Sequence, residues 1–231
     1  MTDIADNLSR IRERIAAAAL RAGRRPEDVR LVAVSKTVEP ERIRQAMDAG
    51  VKILGENYVQ EAQKKIESLG HGVEWHFIGH LQTNKAKVVV RLFHFFHSVD
   101  SPKLAQELNR VAAAQKKRLP VLIEVNLARE ESKFGTGENE IMHLLESISP
   151  LQSISVRGLM TMPPYFDDPE ESRPYFRRLR ALAESIRQKN IPGVSMQELS
   201  MGMSNDFEPA IEEGATMVRI GTAIFGARPR K

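Results

Sequence analysis

The sequence contains no cysteine, one tryptophan and three tyrosines among its 231 residues. Without cysteine, the chain forms neither disulfide bonds nor thiolate-ligated metal centres. It also lacks an apolar run near the ~18 residues that a membrane-spanning helix requires. Its start, MTDIADNLSR, lacks the apolar segment of a secretory signal. These absences predict a cytoplasmic protein with no membrane partner.

The charge balance is close to even, with 34 basic against 30 acidic residues and a net charge of +4. Basic residues are interspersed with apolar ones and form no stripe with interleaved aromatics, so nucleic-acid binding is not expected. Four histidines do not combine with a helical glutamate in the pattern of a zinc hydrolase, so no metal site is expected; they are His76, His80, His94 and His97.

Short apolar runs alternate with amphipathic stretches of helical period along the whole chain. The strand candidates are 31–36, 51–57, 75–80, 95–100, 120–126, 155–163, 196–202 and 217–226. Each run except the last precedes a helical pattern, and an extra helix occupies 1–23. Alternation of this kind implies a parallel sheet with right-handed crossovers. We therefore predict an α/β fold: one (β/α)₈ TIM-type barrel domain over 1–231 with an added N-terminal helix. No G-x-G-x-x-G motif follows the first strand, which disfavours a dinucleotide-binding fold.

Lys36 closes the apolar run LVAVSK at 31–36, whose composition indicates a buried strand. Burial lowers the pKa of a lysine, and the neutral amine that results attacks carbonyl groups to form a Schiff base. The ordinary alternative is a lysine whose stem packs while its ammonium reaches water.

In a parallel barrel the ligand site lies at the carboxyl ends of the strands. The segment SMGMSND at 200–206 leads into a helix and offers the hydroxyls of Ser200 and Ser204 beside Gly202. RIGTAIFG at 219–226 adds a second glycine turn in which Gly221 and Thr222 present backbone N–H groups. Together these segments predict an anion site of the phosphate-binding kind. The alternative is a pair of tight turns with a helix cap.

A reactive lysine and a phosphate site in one barrel mouth predict pyridoxal 5′-phosphate (PLP), held on Lys36. An arginine at the pyridine nitrogen leaves that nitrogen unprotonated, so Arg219 there favours holding the cofactor over stabilising a carbanion. The alternative for Arg219 is an ion pair with a barrel carboxylate such as Glu198. The remaining candidates are supporting ones: Met160, Met162, Met201 and Met203 for packing on the cofactor ring, with plain core packing as the alternative. His80 is a candidate for hydrogen bonds at the rim, and Glu56 with Asn57 for orienting the lysine.

The motifs around these residues resemble the pyridoxal phosphate homeostasis protein family, also called proline synthetase co-transcribed homologues. The resemblance covers almost the full chain and is carried by AVSKTVEP, LGENYVQEA, WHFIGHLQTNK, HSVDS, RGLMTMPP, LSMGMSNDF and MVRIGTAIFG. It implies that Lys36 carries PLP and that Arg219 faces the pyridine nitrogen. The residues implied to hold the phosphate are Ser200, Gly221 and Thr222. It also implies a fold similar to the amino-terminal domain of alanine racemase, a monomer, and no established turnover.

The leading hypothesis is therefore a non-catalytic PLP protein that buffers the cofactor, passes it to apo PLP-dependent enzymes and affects amino-acid balance. The alternative is a PLP-dependent amino-acid racemase. Racemases of this fold take a second acid/base group from a carboxy-terminal β-domain, and the end of this sequence at ARPRK leads us to expect none. A third hypothesis is a Schiff-base aldolase that acts on a phosphorylated sugar. The lysine of such an enzyme is expected on a strand later than the first, where Lys36 lies.

Overall fold

A computed structural model describes residues 3–128, 130 and 134–227. Within these ranges eight parallel strands pair in sequence order, and the eighth pairs with the first to close the barrel. The strands are β1 (Arg30–Val34), β2 (Ile53–Glu56), β3 (Glu74–Phe77), β4 (Phe95–Val99), β5 (Leu119–Glu124), β6 (Ile154–Met160), β7 (Val194–Ser200) and β8 (Met217–Ile220). The predicted (β/α)₈ barrel is confirmed.

Helices follow the strands and cover the outside of the barrel, as right-handed crossovers require. They are α1 (Ile4–Arg21), α2 (Pro40–Asp48), α3 (Val59–Leu69), α4 (Ala86–Leu92), α5 (Pro102–Ala114), α6 (Ile141–Ile148), α7 (Arg173–Arg187), α8 (Phe207–Glu212) and α9 (Thr222–Phe225). None of the helices that the structure describes is both long and apolar enough to span a bilayer.

The predicted N-terminal helix is α1, which lies ahead of the first strand. Asp3 caps it by accepting a hydrogen bond from the N–H of Ala5 at 2.8 Å. Its apolar face packs on α8 and α9, and the buried Asn7 side chain donates to the carbonyl of Ile224 at 2.9 Å. Met1, Thr2 and 228–231 lie outside the described residues, so one domain over 1–231 stays a prediction.

Two apolar cores fill the molecule. The larger lies between the strands and the helix layer, and a smaller one fills the barrel interior with Val32, Ile53, Phe95, Leu122, Met160 and Met217. Several polar side chains share that interior with the small core; His76, His97 and Ser200 have no exposed surface. The barrel is therefore a packed core, and a ligand must bind at its mouth.

All eight strands end earlier than the sequence pattern predicted, and the difference is largest in β8. The run 217–226 was wrong as one strand, because Gly221 departs from extended geometry and its carbonyl accepts from the N–H groups of Ile224 and Phe225, at 2.9 Å each, to start α9. The last run is thus also followed by a helix. β1 ends at Val34 because the chain turns at Ser35, whose carbonyl accepts from the N–H of Val38 at 3.0 Å. β3 ends at Phe77, three residues before the predicted bound.

Candidate cofactor site

A cavity of about 250 Å³ opens at the carboxyl ends of the strands. This volume is near the lower end of small-molecule sites, which begin at about 300 Å³. Among its lining residues are eight that the sequence predicted for the cofactor: Lys36, Asn57, Met162, Met203, Ser204, Arg219, Gly221 and Thr222. Residues that are distant in sequence therefore meet where a parallel barrel places its ligand.

Lys36 is half-buried in the turn after β1, and both of its neighbours are anchored. The carbonyl of Ser35 accepts from Lys65 Nζ at 2.5 Å, and the N–H of Thr37 donates to Glu61 Oε1. Thr37 has φ = 62°, a left-handed conformation that is costly for a β-branched residue. The surrounding contacts hold this strained turn, which fixes the backbone that carries Lys36.

The anchors of this turn form a buried charged cluster. Lys65 Nζ lies 2.8 Å from Glu56 Oε1 and 2.5 Å from Glu61 Oε1, and Ser35 Oγ donates to Glu56 Oε1 at 2.6 Å. Burial raises the pKa of Glu56, and the positive charge of Lys65 opposes that rise. Glu56 was predicted to orient Lys36. Its carboxylate contacts Ser35, the residue that precedes Lys36, and Lys65. Lys65 was not predicted, because its spacing from Glu61 resembles an ordinary surface pair on α3.

The opposite side of the cavity carries the predicted phosphate loops. Ser204 Oγ accepts long hydrogen bonds from the N–H groups of Gly221, at 3.3 Å, and Ala223, at 3.4 Å. Gly202 has φ = 89°, and a Cβ there would lie 2.5 Å from Ala210 Cβ, so a side chain would push this loop away from α8. The close packing of glycine on α8 therefore places Ser204 beside the first turn of α9.

Arg219 extends from β8 to the floor of the cavity and is 4% exposed. Its Nη1 donates to Ser200 Oγ at 2.7 Å, and its Nη2 donates to the carbonyl of Thr161 at 2.9 Å. Burial lowers the pKa of Arg219 to about 10, while the charges of Asp206 and Glu124 oppose that fall, so the guanidinium stays charged near neutral pH.

The alternative partner for Arg219 is engaged elsewhere. Glu198 Oε1 lies 2.6 Å from Arg30 Nη2, and its Oε2 accepts from Thr216 Oγ1 at 2.6 Å. The guanidinium of Arg219 is instead held by the hydroxyl and carbonyl oxygens described above. This arrangement leaves its charge available to a ligand.

Asn57 lies where the loop after β3 approaches β2. A Cβ on Gly79 would lie 2.5 Å from the carbonyl oxygen of Asn57, so only glycine permits this approach. Asn57 Oδ1 is buried and has no hydrogen-bond partner among the residues that the structure describes. An unsatisfied buried amide oxygen is costly, and here it belongs to a residue that lines the cavity.

The other predicted cofactor residues lie outside the cavity lining. Ser200 is fully buried beneath Arg219, Met160 belongs to the barrel interior and Met201 to the outer core. Gly202 contributes a carbonyl that accepts from the N–H of Arg219 at 2.9 Å. His80 faces a different pocket, where its Nδ1 lies 3.3 Å from Asp100 Oδ2 and its ring stacks on Phe134 at 3.6 Å. Their roles toward a cofactor stay predictions.

One wall of the cavity is the loop after β6, of which sequence reasoning singled out only Met162. This wall consists of Met162, Pro164, Tyr165 and Phe166. Asn205 ties it to the phosphate loop by donating to the carbonyl of Phe166 at 2.9 Å. The paired prolines and aromatics of MPPYF were the available signal, since such a segment ends a strand and offers apolar surface.

The geometry agrees with comparisons to known proteins. The family described as "Alanine racemase, N-terminal domain" matches residues 7–229. The pyridoxal phosphate homeostasis protein of Aquifex aeolicus (strain VF5) is 48% identical over 224 residues, covering 96% of this chain and 97% of that protein. The solved structure of PipY from Synechococcus elongatus PCC7942 with PLP bound has a TM-score of 0.84 and 36% identity, covering 96% of this chain and 100% of that one.

Solved alanine racemases share the fold alone. The alanine racemase of Clostridium difficile 630 has a TM-score of 0.74 at 15% identity, covering 99% of this chain and 58% of that one. The barrel and its mouth therefore define the chain as a member of the alanine racemase N-terminal domain class. Within this class, the chain belongs to the pyridoxal phosphate homeostasis protein family.

Proposed function

We propose that this protein binds PLP in the cavity at the carboxyl ends of the strands and acts in PLP homeostasis. The observation that carries the proposal is Lys36, presented on an anchored, strained turn opposite the Ser204 and Gly221 loops. The PLP-bound structure of PipY, at 36% identity, supports the same ligand for this chain.

The lining residues suit a dianionic aromatic aldehyde. Arg219 supplies positive charge and Lys36 an amine, while Ser204 and the N–H groups of Gly221 and Thr222 are placed for the phosphate. The unsatisfied Asn57 Oδ1 offers an acceptor inside the cavity. Met162 and Phe166 supply apolar wall for a planar ring.

Lys36 would hold PLP through the cofactor's aldehyde, because a neutral lysine amine condenses with an aldehyde and releases one water. The anchored turn restricts the positions that Lys36 Nζ reaches, which favours one covalent geometry. Arg219, a permanent cation at this end of the barrel, disfavours a proton on the pyridine nitrogen. The site therefore favours retention of the cofactor over carbanion chemistry.

The proposed role is buffering and delivery of PLP in the cytoplasm, by a monomer that performs no turnover of its own. The naming of the relatives as homeostasis proteins supports this role. Exposed side chains at the mouth, 75% for Tyr165 and 38% for Met162, give an apo PLP-dependent enzyme a surface to approach. Incubation with amino acids in deuterated water tests the absence of turnover, because α-proton exchange at more than ~1 per second would indicate an enzyme.

A titration of the cofactor-free protein with PLP tests the binding site. We expect a yellow absorption band that saturates at one equivalent, and we expect Lys36→Ala to abolish it. Lys87→Ala removes an exposed lysine of α4 and serves as the matched control, which should keep the band. A protein that takes up no PLP, or equal loss in both variants, would refute the proposal.

A further inference from the structure

A line of buried polar side chains crosses the barrel interior beneath the cofactor cavity. TIM-barrel interiors are filled mainly by branched aliphatic residues. Here His76 and His97 are fully buried against Phe95, with ring centroids 5.1 Å from it in both cases. Burial of polar groups is unfavourable unless they are hydrogen-bonded, so their arrangement requires an explanation.

The side chains form a continuous hydrogen-bonded chain that starts at the cavity. Arg219 Nη1 is 2.7 Å from Ser200 Oγ, which is 3.0 Å from His97 Nδ1. His97 Nε2 is 3.0 Å from His76 Nδ1. His76 Nε2 is 3.3 Å from Glu74 Oε2. Glu74 is the first residue of β3 and is exposed, so the chain ends at the barrel face opposite the cavity.

The donors and acceptors along this chain fit in one direction. Ser200 Oγ accepts from Arg219 and can give its single proton to His97 Nδ1. His97 is then protonated on Nε2 and donates to His76 Nδ1, and His76 in turn donates from Nε2 to the carboxylate of Glu74. The reverse order would set a lone pair of His76 against that carboxylate.

Both imidazoles are neutral in this scheme. Burial lowers the pKa of His97 well below its usual value and lowers that of His76, although Glu74 opposes the second shift. Four nearby groups shift the pKa values of the two histidines: Arg30, Glu74, His94 and Arg219. Glu124 and Asp206 shift that of Arg219.

We propose that Glu74, His76 and His97 are positioning residues for the cofactor site. Acting through Ser200, they hold the Arg219 guanidinium in one orientation at the cavity floor. They also couple that guanidinium to a carboxylate on the far face of the barrel, because aligned hydrogen bonds polarise one another. The coupling to PLP rests on the proposed function, whereas the direction of the chain does not.

The first test uses the cofactor-free protein and histidine ¹⁵N NMR. We expect His76 and His97 to be neutral Nε2–H tautomers from pH 6 to pH 8, and Ser200→Ala to change the Nδ1 signal of His97. Glu74→Gln, at an exposed position, should shift the signals of His76 and then of His97. A charged imidazole, an Nδ1–H tautomer at His97, or no response to Glu74→Gln would overturn the proposal.

The second test uses the PLP-loaded protein and the pH midpoint of its absorption band. His97→Leu breaks the chain, and we expect it to shift the midpoint by at least about 0.5 pH unit, a change of about threefold in the protonation equilibrium. His97→Gln retains a donor and an acceptor and should restore part of the shift. Glu74→Gln should lower the midpoint by a smaller amount, because it removes a negative charge and keeps an acceptor.

Phe95→Leu is the matched packing control, since it changes the packing against both histidines and keeps every member of the hydrogen-bonded chain. We expect it to lower thermal stability and leave the midpoint unchanged. If Phe95→Leu and His97→Leu had the same midpoint, the histidines would act only through packing and the proposal would be overturned. If the protein takes up no PLP, the proposed function fails while the NMR result still decides the direction of the chain.

Discussion

Replacing Lys65 by methionine tests whether the buried cluster behind Lys36 holds its turn. The lysine is 4% exposed and donates to Ser35, Glu56 and Glu61. Methionine preserves the stem and removes the charge, so the fully buried Glu56 loses its cationic partner. Loss of one member of a buried ion pair costs about 3–5 kcal/mol, a large part of the roughly 5–15 kcal/mol that stabilises a domain.

The loss should depend on pH in a defined direction. Burial already raises the pKa of Glu56, and removal of Lys65 raises it further. A carboxyl group whose folded pKa is raised stabilises the fold when protonated, and that contribution is lost as pH rises through the folded value. Lys65→Met should therefore be least destabilised near pH 5 and most destabilised near pH 8.

Urea unfolding at these two pH values measures the effect. Lys64→Met changes the exposed neighbour on the same helix and should stay within about 0.5 kcal/mol of the parent. Adding Glu56→Gln to Lys65→Met removes the uncompensated carboxylate and should recover part of the loss at pH 8. Equal costs for Lys64→Met and Lys65→Met, or a further loss from Glu56→Gln, would show that the buried cluster does not stabilise this turn.

Three further predictions concern the loops and the barrel interior. Gly202→Ala combines φ = 89° with a Cβ 2.5 Å from Ala210 Cβ and should cost about 2–4 kcal/mol in urea unfolding. Gly23→Ala is the control, because Gly23 has φ = 67° and open space around it, and it should cost only about 1 kcal/mol. Equal costs for Gly202→Ala and Gly23→Ala would show that the contact with Ala210 contributes nothing. Ser204→Ala should weaken binding of PLP about fivefold and leave binding of pyridoxal, which has no phosphate, unchanged in a fluorescence titration. Burial and the nearby Asp100 raise the pKa of Glu124 to about 7. The protonated carboxyl group therefore stabilises the fold, and about 2–3 kcal/mol of that stabilisation is lost as pH rises from 5 to 8. Glu124→Gln should flatten the dependence of the unfolding free energy on pH, and an unchanged slope would contradict this prediction.

Sequence reasoning predicted the barrel because apolar runs and helical patterns alternate along the entire chain. The strand ends were less predictable, since a strand stops where its backbone hydrogen bonds stop. The turn at Ser35 and the helical bonds to Gly221 are backbone events, and both lie within apolar runs. The residues at the cavity were predictable to the extent that Lys36, Ser204 and Arg219 lie at or just beyond strand ends.

The remaining parts of the site depend on which way each side chain faces. Ser200 and Met201 are adjacent, so alternation along the strand sends the first into the barrel and the second into the outer core. The apolar run at 75–80 predicted that His80 lies at the barrel mouth. β3 ends earlier, and the loop after it places His80 beside Asp100. Lys65 carries no sequence signal, because its pairing with Glu61 resembles a surface pair and its burial arises only from tertiary packing.

Borohydride reduction of the PLP-loaded protein, followed by peptide mass spectrometry, tests whether Lys36 is the residue that holds PLP. The reagent fixes the cofactor on the lysine that holds it, and the digest separates Lys36 from Lys65. We expect a PLP-derived mass on the peptide that contains Lys36 and its loss in Lys36→Ala. A label on Lys65, a label spread over exposed lysines, or no label at all would contradict this expectation.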